Sequence, residues 1–332
     1  MNQEENVKHL IGEWEHGAMN RREFFERALF LLGSVTAAEA LLAACSPAAA
    51  PAATALPSVA PAATATAVPT VAPTVAPTRP PQPTNPPPLP PVTSRIPGFV
   101  DASAVDTSQV TYSSGDVKMM AYLAKPKSGG PWPGVIVIHE NRGLTDHIKD
   151  VTRRIANLGY AALGVDLLSR LGGTPKFDPP ADPTQAINSL KQEDVNADLV
   201  ASAAFLKAQS FVKPKLGSVG FCWGGHNSIQ AAIRSKDVVA CVIFYGRNPA
   251  PIDDVQQIAG ATIGNYGDQD QGITPGVPAL DAAMKKYNKP FEYKIYPGAN
   301  HAFFNDTGPR FHEASAKDAW ARLVDFYKKQ LA

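Results

Sequence analysis

The sequence predicts an α/β fold, with a mostly parallel central sheet covered by helices on both faces. Three observations carry this expectation. Strand-like and helix-like segments alternate from about Gln109 to the C-terminus, the order that builds a sheet with crossover helices. The run Gly134-Val135-Ile136-Val137-Ile138 is apolar without alternation, as in a strand buried on both faces. The stretch from Gly217 to Gly225 reads as a short apolar strand that breaks into a glycine-flanked turn before a helical segment.

Taken in order, Gln109 to Ser113 and Val117 to Ala124 form a predicted hairpin turning at Ser114-Gly115-Asp116. The buried strand Gly134 to Ile138 follows. A helix is predicted over Asp146 to Leu158, with Gly159 as its C-terminal cap. Tyr160 to Val165 is the next strand, closing in Asp166, and one long helix is predicted over Thr184 to Gln209. Then come the strand Gly217 to Phe221, a helix over His226 to Arg234, and the strands Val238 to Phe244 and Ala261 to Tyr266. A helix over Val277 to Tyr287 and a strand over Phe291 to Tyr296 complete the alternation. A final amphipathic helix places Trp320, Leu323, Tyr327 and Leu331 at spacings that put them on one face, which reads as core packing.

This folded part spans residues 99–332. Two different segments precede it. Residues 1–45 resemble an export signal: Asn20-Arg21-Arg22-Glu23-Phe24-Phe25 is similar to a twin-arginine motif, and Leu42-Ala43-Ala44-Cys45 is similar to a lipobox. Between Arg27 and Glu39 lie 11 uncharged positions, short of the roughly 20 apolar residues a membrane span needs. The expectation is therefore export, lipidation of Cys45 and an extracytoplasmic, membrane-anchored protein. Residues 46–98 hold sixteen of the chain's 31 prolines, mixed with Ala, Thr and Val. Such a composition supports no core and predicts an extended tether of roughly 3.1 Å per residue.

Composition removes several function classes. The net charge is +1, from 31 basic and 30 acidic residues, which gives no footprint for nucleic acid. The three cysteines, Cys45, Cys222 and Cys241, show neither metal-ligand spacing nor a disulfide framework. Cys241 lies in the apolar run Val238 to Phe244 and reads as core. No glycine-rich dinucleotide fingerprint or phosphate-binding loop is visible.

The chemistry concentrates at predicted strand ends. Gly220-Phe221-Cys222-Trp223-Gly224 has the Gly-x-nucleophile-x-Gly pattern of the nucleophile elbow in α/β-hydrolases, with Cys222 in the nucleophile position. A thiol nucleophile needs a base and a group that orients the base. In α/β-hydrolase order these follow as acid and then histidine. Asp270, in Gly267-Asp268-Gln269-Asp270, follows one strand, and His301, in Pro297-Gly298-Ala299-Asn300-His301, follows the next. At the end of the Gly134 strand stands His139-Glu140-Asn141-Arg142-Gly143. The loop at this place supplies one oxyanion-hole N–H and the residue after the nucleophile supplies the other. Asn141 and Trp223 are thus the candidate donors. Glu140 is expected close to Cys222, with an ion pair to Arg142 as the alternative.

Together, His139-Glu140, Gly220 to Gly225, Gly267-x-x-Asp270 and Gly298-x-x-His301-x-Phe303 resemble the dienelactone hydrolase (carboxymethylenebutenolidase) family. The resemblance extends from about Gln109 to the C-terminus. It implies an α/β-hydrolase fold, a Cys222–His301–Asp270 triad, and no metal or cofactor. It further implies a glutamate, matching Glu140, that interacts with the thiol and is displaced when substrate arrives. The implied activity is hydrolysis of a small ester or lactone through a thioester. The dienelactone enzyme uses arginines for its substrate's carboxylate, one of them shortly after the catalytic histidine. Here that stretch is Ala302-Phe303-Phe304-Asn305, with no arginine before Arg310, and Ser169 to Asp194 contains only Arg170. Arg142 is the remaining candidate for substrate binding. Two other function classes stay open: a non-catalytic extracytoplasmic binding protein on a hydrolase fold, and a thiol redox protein built on Cys222.

Overall fold

The computed structural model describes residues 102–177 and 183–332, with Val7, Ile11 and Ala28 as isolated positions before them. The expected signal, Cys45 and the tether lie outside the described residues.

Eight strands form one sheet in the order β1-β2-β4-β3-β5-β6-β7-β8. They are β1 (Asp106–Ser114), β2 (Val117–Lys125), β3 (Trp132–Ile138), β4 (Ala161–Asp166), β5 (Val212–Phe221), β6 (Val238–Phe244), β7 (Ala261–Gly267) and β8 (Phe291–Tyr296). β1 pairs antiparallel with β2, and β2 antiparallel with β4. Every other pairing is parallel. The helices are α1 (Asp146–Asn157), α2 (Pro183–Asn188), α3 (Gln192–Lys207), α4 (Trp223–Arg234), α5 (Val277–Lys286) and α6 (Glu313–Gln330).

The two faces of the sheet can be read from alternate residues of one strand. Val135 and Val137 of β3 join a core with Ile148, Val151 and Ile155 of α1 and with Trp320, Leu323 and Tyr327 of α6. Ile136 and Ile138 join a second core with α3, α4 and α5 through residues such as Leu199, Ile229 and Leu280. A strand between two apolar layers needs no polar face, which is why β3 lacks alternation.

Besides shifts of one to three residues at other element ends, the observed elements differ from expectation in three places. The helix expected over Thr184 to Gln209 is two helices. Lys191 is extended (φ −74°, ψ 136°), and the Ser189 hydroxyl donates to Ala186 O at 2.7 Å. A side chain bonding the last turn's carbonyl competes with continuation of the helix, while Glu193 and Asp194 favour a new N-terminus at α3. β5 begins five residues before the expected Gly217, because its exposed Lys213, Pro214 and Lys215 interrupt the apolar run. The elbow helix starts at Trp223 and not at His226.

Candidate active site

The carboxyl ends of β3, β5, β6, β7 and β8 supply the residues of the site, as is usual in open α/β sheets. Cys222 joins β5 to α4 with φ 57° and ψ −118°, a backbone conformation that residues other than glycine rarely adopt. The neighbouring glycines make it possible. A Cβ on Gly220 would stand 1.8 Å from Gly224 O, and one on Gly224 would stand 2.3 Å from His139 O. The β3 loop and the first turn of α4 are therefore in backbone contact. The Cys222 side chain is partly exposed. Trp223 is the first residue of α4, where an N–H has no partner within the helix. Asn141 lies half-buried in the β3 loop, and its carbonyl accepts a 3.5 Å hydrogen bond from Thr184 Oγ1.

Asp270 is buried, whereas Asp268 is exposed. The Asp270 Oδ2 lies 2.6 Å from His301 Nδ1. Their loops are tied together by Gln269 N–H donating to Ala299 O at 3.0 Å. The His301 pKa is raised to about 9. Burial would lower it, but the hydrogen bond to the Asp270 carboxylate and the influence of the neighbouring Cys222 thiol outweigh burial.

Glu140 does not pair with Arg142. Its Oε2 accepts from Asn305 Nδ2 at 2.6 Å and its Oε1 from the Tyr245 hydroxyl at 3.5 Å. Arg142 is exposed to solvent. Arg170 is committed elsewhere, in a two-pronged contact with Asp198 at 2.8 and 2.9 Å.

Three residues without a sequence-assigned role complete the site. Tyr245 has φ 39° at the end of β6, and its ring lies 5.1 Å from that of His301. Its hydroxyl pKa is pushed well above the ordinary value by burial and by the neighbouring charge of Glu140, whose Oε1 the hydroxyl meets at 3.5 Å. Asn305 holds Glu140. His139 is fully buried, and burial lowers its pKa. Its Nε2 accepts from Leu167 N–H at 3.2 Å, which leaves Nδ1 to donate to Glu140 O at 2.6 Å. A neutral ring with both nitrogens bonded thus pins the Glu140 loop to the end of β4. Its sequence signals are its position at a strand end and its place in the His139-Glu140 pair of the family resemblance. No group of three or more His, Cys, Asp or Glu residues among the described residues is placed to hold a metal ion.

With this geometry in view, the comparisons with known proteins are decisive. The dienelactone hydrolase family model matches residues 119–331. The chain belongs to the dienelactone hydrolase family. A Saccharolobus solfataricus protein provisionally named carboxymethylenebutenolidase is 35% identical over 67% of this chain and 98% of its own length. A Methylorubrum extorquens protein of the same provisional name is 32% identical over 72% of this chain and 86% of its own. The crystal structure of a provisionally named dienelactone hydrolase from Klebsiella pneumoniae superposes with a TM-score of 0.63. It is 30% identical and covers 68% of this chain and 99% of its own. Membership in the dienelactone hydrolase family makes the protein a hydrolase with the α/β-hydrolase fold.

Proposed function

We propose that this protein hydrolyses small esters or lactones through a thioester on Cys222. The observation that carries the reading is His301, bonded at Nδ1 to the buried Asp270 at 2.6 Å, at the same end of the sheet as Cys222 in its left-handed elbow. The Cys222 thiolate attacks the substrate carbonyl carbon. Charge develops on the carbonyl oxygen, which the N–H groups of Trp223 and Asn141 stabilise, each donor contributing roughly 10²- to 10³-fold in rate. Collapse breaks the ester C–O bond, and the departing alkoxide takes the proton of the His301 imidazolium. A thioester remains. Water, deprotonated by His301, then attacks it, releasing the acid and restoring the thiolate. Arg142 is the candidate for polar contact with the substrate.

The relatives' names point to a lactone as one substrate type, and the missing arginine after His301 argues for a substrate other than dienelactone itself. Against the redox reading, Cys241 is wholly buried in β6, and burial pushes its thiol up to about 11. The binding-protein reading has no observation in its favour, because all three triad side chains are present and the His301–Asp270 contact is formed. Hydrolysis of p-nitrophenyl acetate tests the proposal. Cys222→Ala should lose more than about 10³-fold in kcat, since removing a nucleophile costs orders of magnitude. A loss of less than tenfold contradicts it.

The N-terminal segments lie outside the family match. Export, a lipid on Cys45 and a tether over 46–98 are proposed from sequence alone.

A further inference from the structure

The Asn305 side chain is fixed at both ends. Its Oδ1 accepts from Thr307 N–H at 3.0 Å and from Thr307 Oγ1 at 2.6 Å. That assigns the amide's orientation: the NH₂ end must face Glu140, which it meets at 2.6 Å. A short bond to a carboxylate is among the stronger hydrogen bonds in proteins. The flipped amide would set oxygen against oxygen. The next residue is anchored as well. Asp306 is fully buried and meets Arg154 at 2.9 Å and His147 Nδ1 at 3.1 Å, both on α1. Asn305 therefore sits on a turn held by a buried charge cluster.

Glu140, in turn, is not bonded to the thiol. Its two oxygens are taken by Asn305 Nδ2 and by the Tyr245 hydroxyl. Yet the two groups are near neighbours: a Cβ on Gly224, two residues after Cys222, would stand 2.3 Å from the carbonyl oxygen of His139, the residue before Glu140. A carboxylate released from Asn305 can rotate towards the sulfur. There its negative charge disfavours the thiolate.

We propose that Asn305 is a positioning residue that parks Glu140 away from Cys222 in the resting enzyme, so that activation of the thiol needs no carboxylate on the substrate. The substrates are accordingly uncharged esters or lactones. A carboxylate on the substrate can change KM, through contact with Arg142, and leaves kcat alone. This inference rests on the cysteine mechanism proposed above.

The test reads alkylation of Cys222 by iodoacetamide at pH 7, located by peptide mass, beside turnover of phenyl butyrate and its carboxylate-bearing counterpart, monophenyl succinate. Asn305→Ala should slow alkylation about tenfold, the equivalent of one pKa unit in the thiol. Adding Glu140→Gln to Asn305→Ala should restore the wild-type labelling rate, which a loop that had merely collapsed would not do. Wild-type kcat should agree within about threefold for the two esters, less than half a pKa unit's worth of energy. Unchanged labelling in Asn305→Ala, no rescue by the second substitution, or a kcat at least tenfold lower for phenyl butyrate overturns the proposal. Failure of the cysteine mechanism itself looks different: Cys222→Ala would still hydrolyse both esters, whatever the labelling rates.

Discussion

At the scale of single residues, His301 is the hinge of the account. Its imidazolium is favoured up to about pH 9. The sign of the pH dependence follows. Below about pH 9 the imidazolium can protonate a departing alkoxide; above it the proton is lost. For an alkyl ester, kcat/KM should fall above about pH 9. For a p-nitrophenyl ester, whose leaving group needs no proton, that fall should be much weaker. Rate profiles from pH 6 to 11 check this, and an alkyl-ester rate still rising at pH 10 contradicts it. Asp270→Asn should reduce kcat by about 10³- to 10⁴-fold, since a neutral amide leaves the histidine in the wrong tautomer, and should draw the alkaline limb below pH 9. These residues were legible because chain order and strand ends mark them. Spacing from Gly267 favours Asp270 over Asp268; in the structure Asp270 is buried and Asp268 exposed. Tyr245 and Asn305 were not legible. Tyr245 reads as the end of an apolar run, and only its left-handed backbone turns the ring towards His301. Asn305 is one of several polar turn residues, and its partner Glu140 is 165 positions away in the chain. The alternative Glu140–Arg142 pair, suggested by adjacency, is not formed.

At the scale of elements, the elbow depends on close approach of backbones. Gly224→Ala would drive a methyl group into His139 O and Ile138 O, at 2.3 and 2.5 Å. Backbone on both sides cannot yield as a side-chain tip does. Activity should fall by at least about 100-fold, in line with the effect of misplacing reacting groups by about 1 Å, and a steady-state assay on the folded variant checks it. The α1–Asp306 lock makes a second prediction. Asp306→Ala leaves the Arg154 guanidinium buried with one carboxylate fewer. Breaking a buried pair from one side costs about 3–5 kcal/mol, and urea unfolding should show a loss of that order. Most elements were legible from apolar runs and turn residues. Their misread ends have local causes. Ser189 breaks a helix whose apolar spacing runs on past it, and the exposed residues of β5 carry no apolar signal.

At the scale of the whole molecule, one packed α/β unit carries every residue assigned to the chemistry, and the family match begins at residue 119. A chain beginning at Phe99 should therefore melt within about 1 °C of the full protein, a shift well under 1 kcal/mol, and turn over esters at the same rate. Calorimetry and a steady-state assay check both. Intact-mass analysis of membrane-extracted protein should show a lipidated chain beginning at Cys45, and a mature chain that retains residues 1–44 would contradict the proposed anchor. The same measurement, made on the enzyme during turnover, reaches the central claim most directly. Protein mixed with excess ester and quenched in acid within milliseconds should gain the mass of one acyl group, carried by the peptide that contains Cys222 and removed by hydroxylamine. An acyl group on any other residue, or undiminished hydrolysis by Cys222→Ala, would contradict the thioester mechanism.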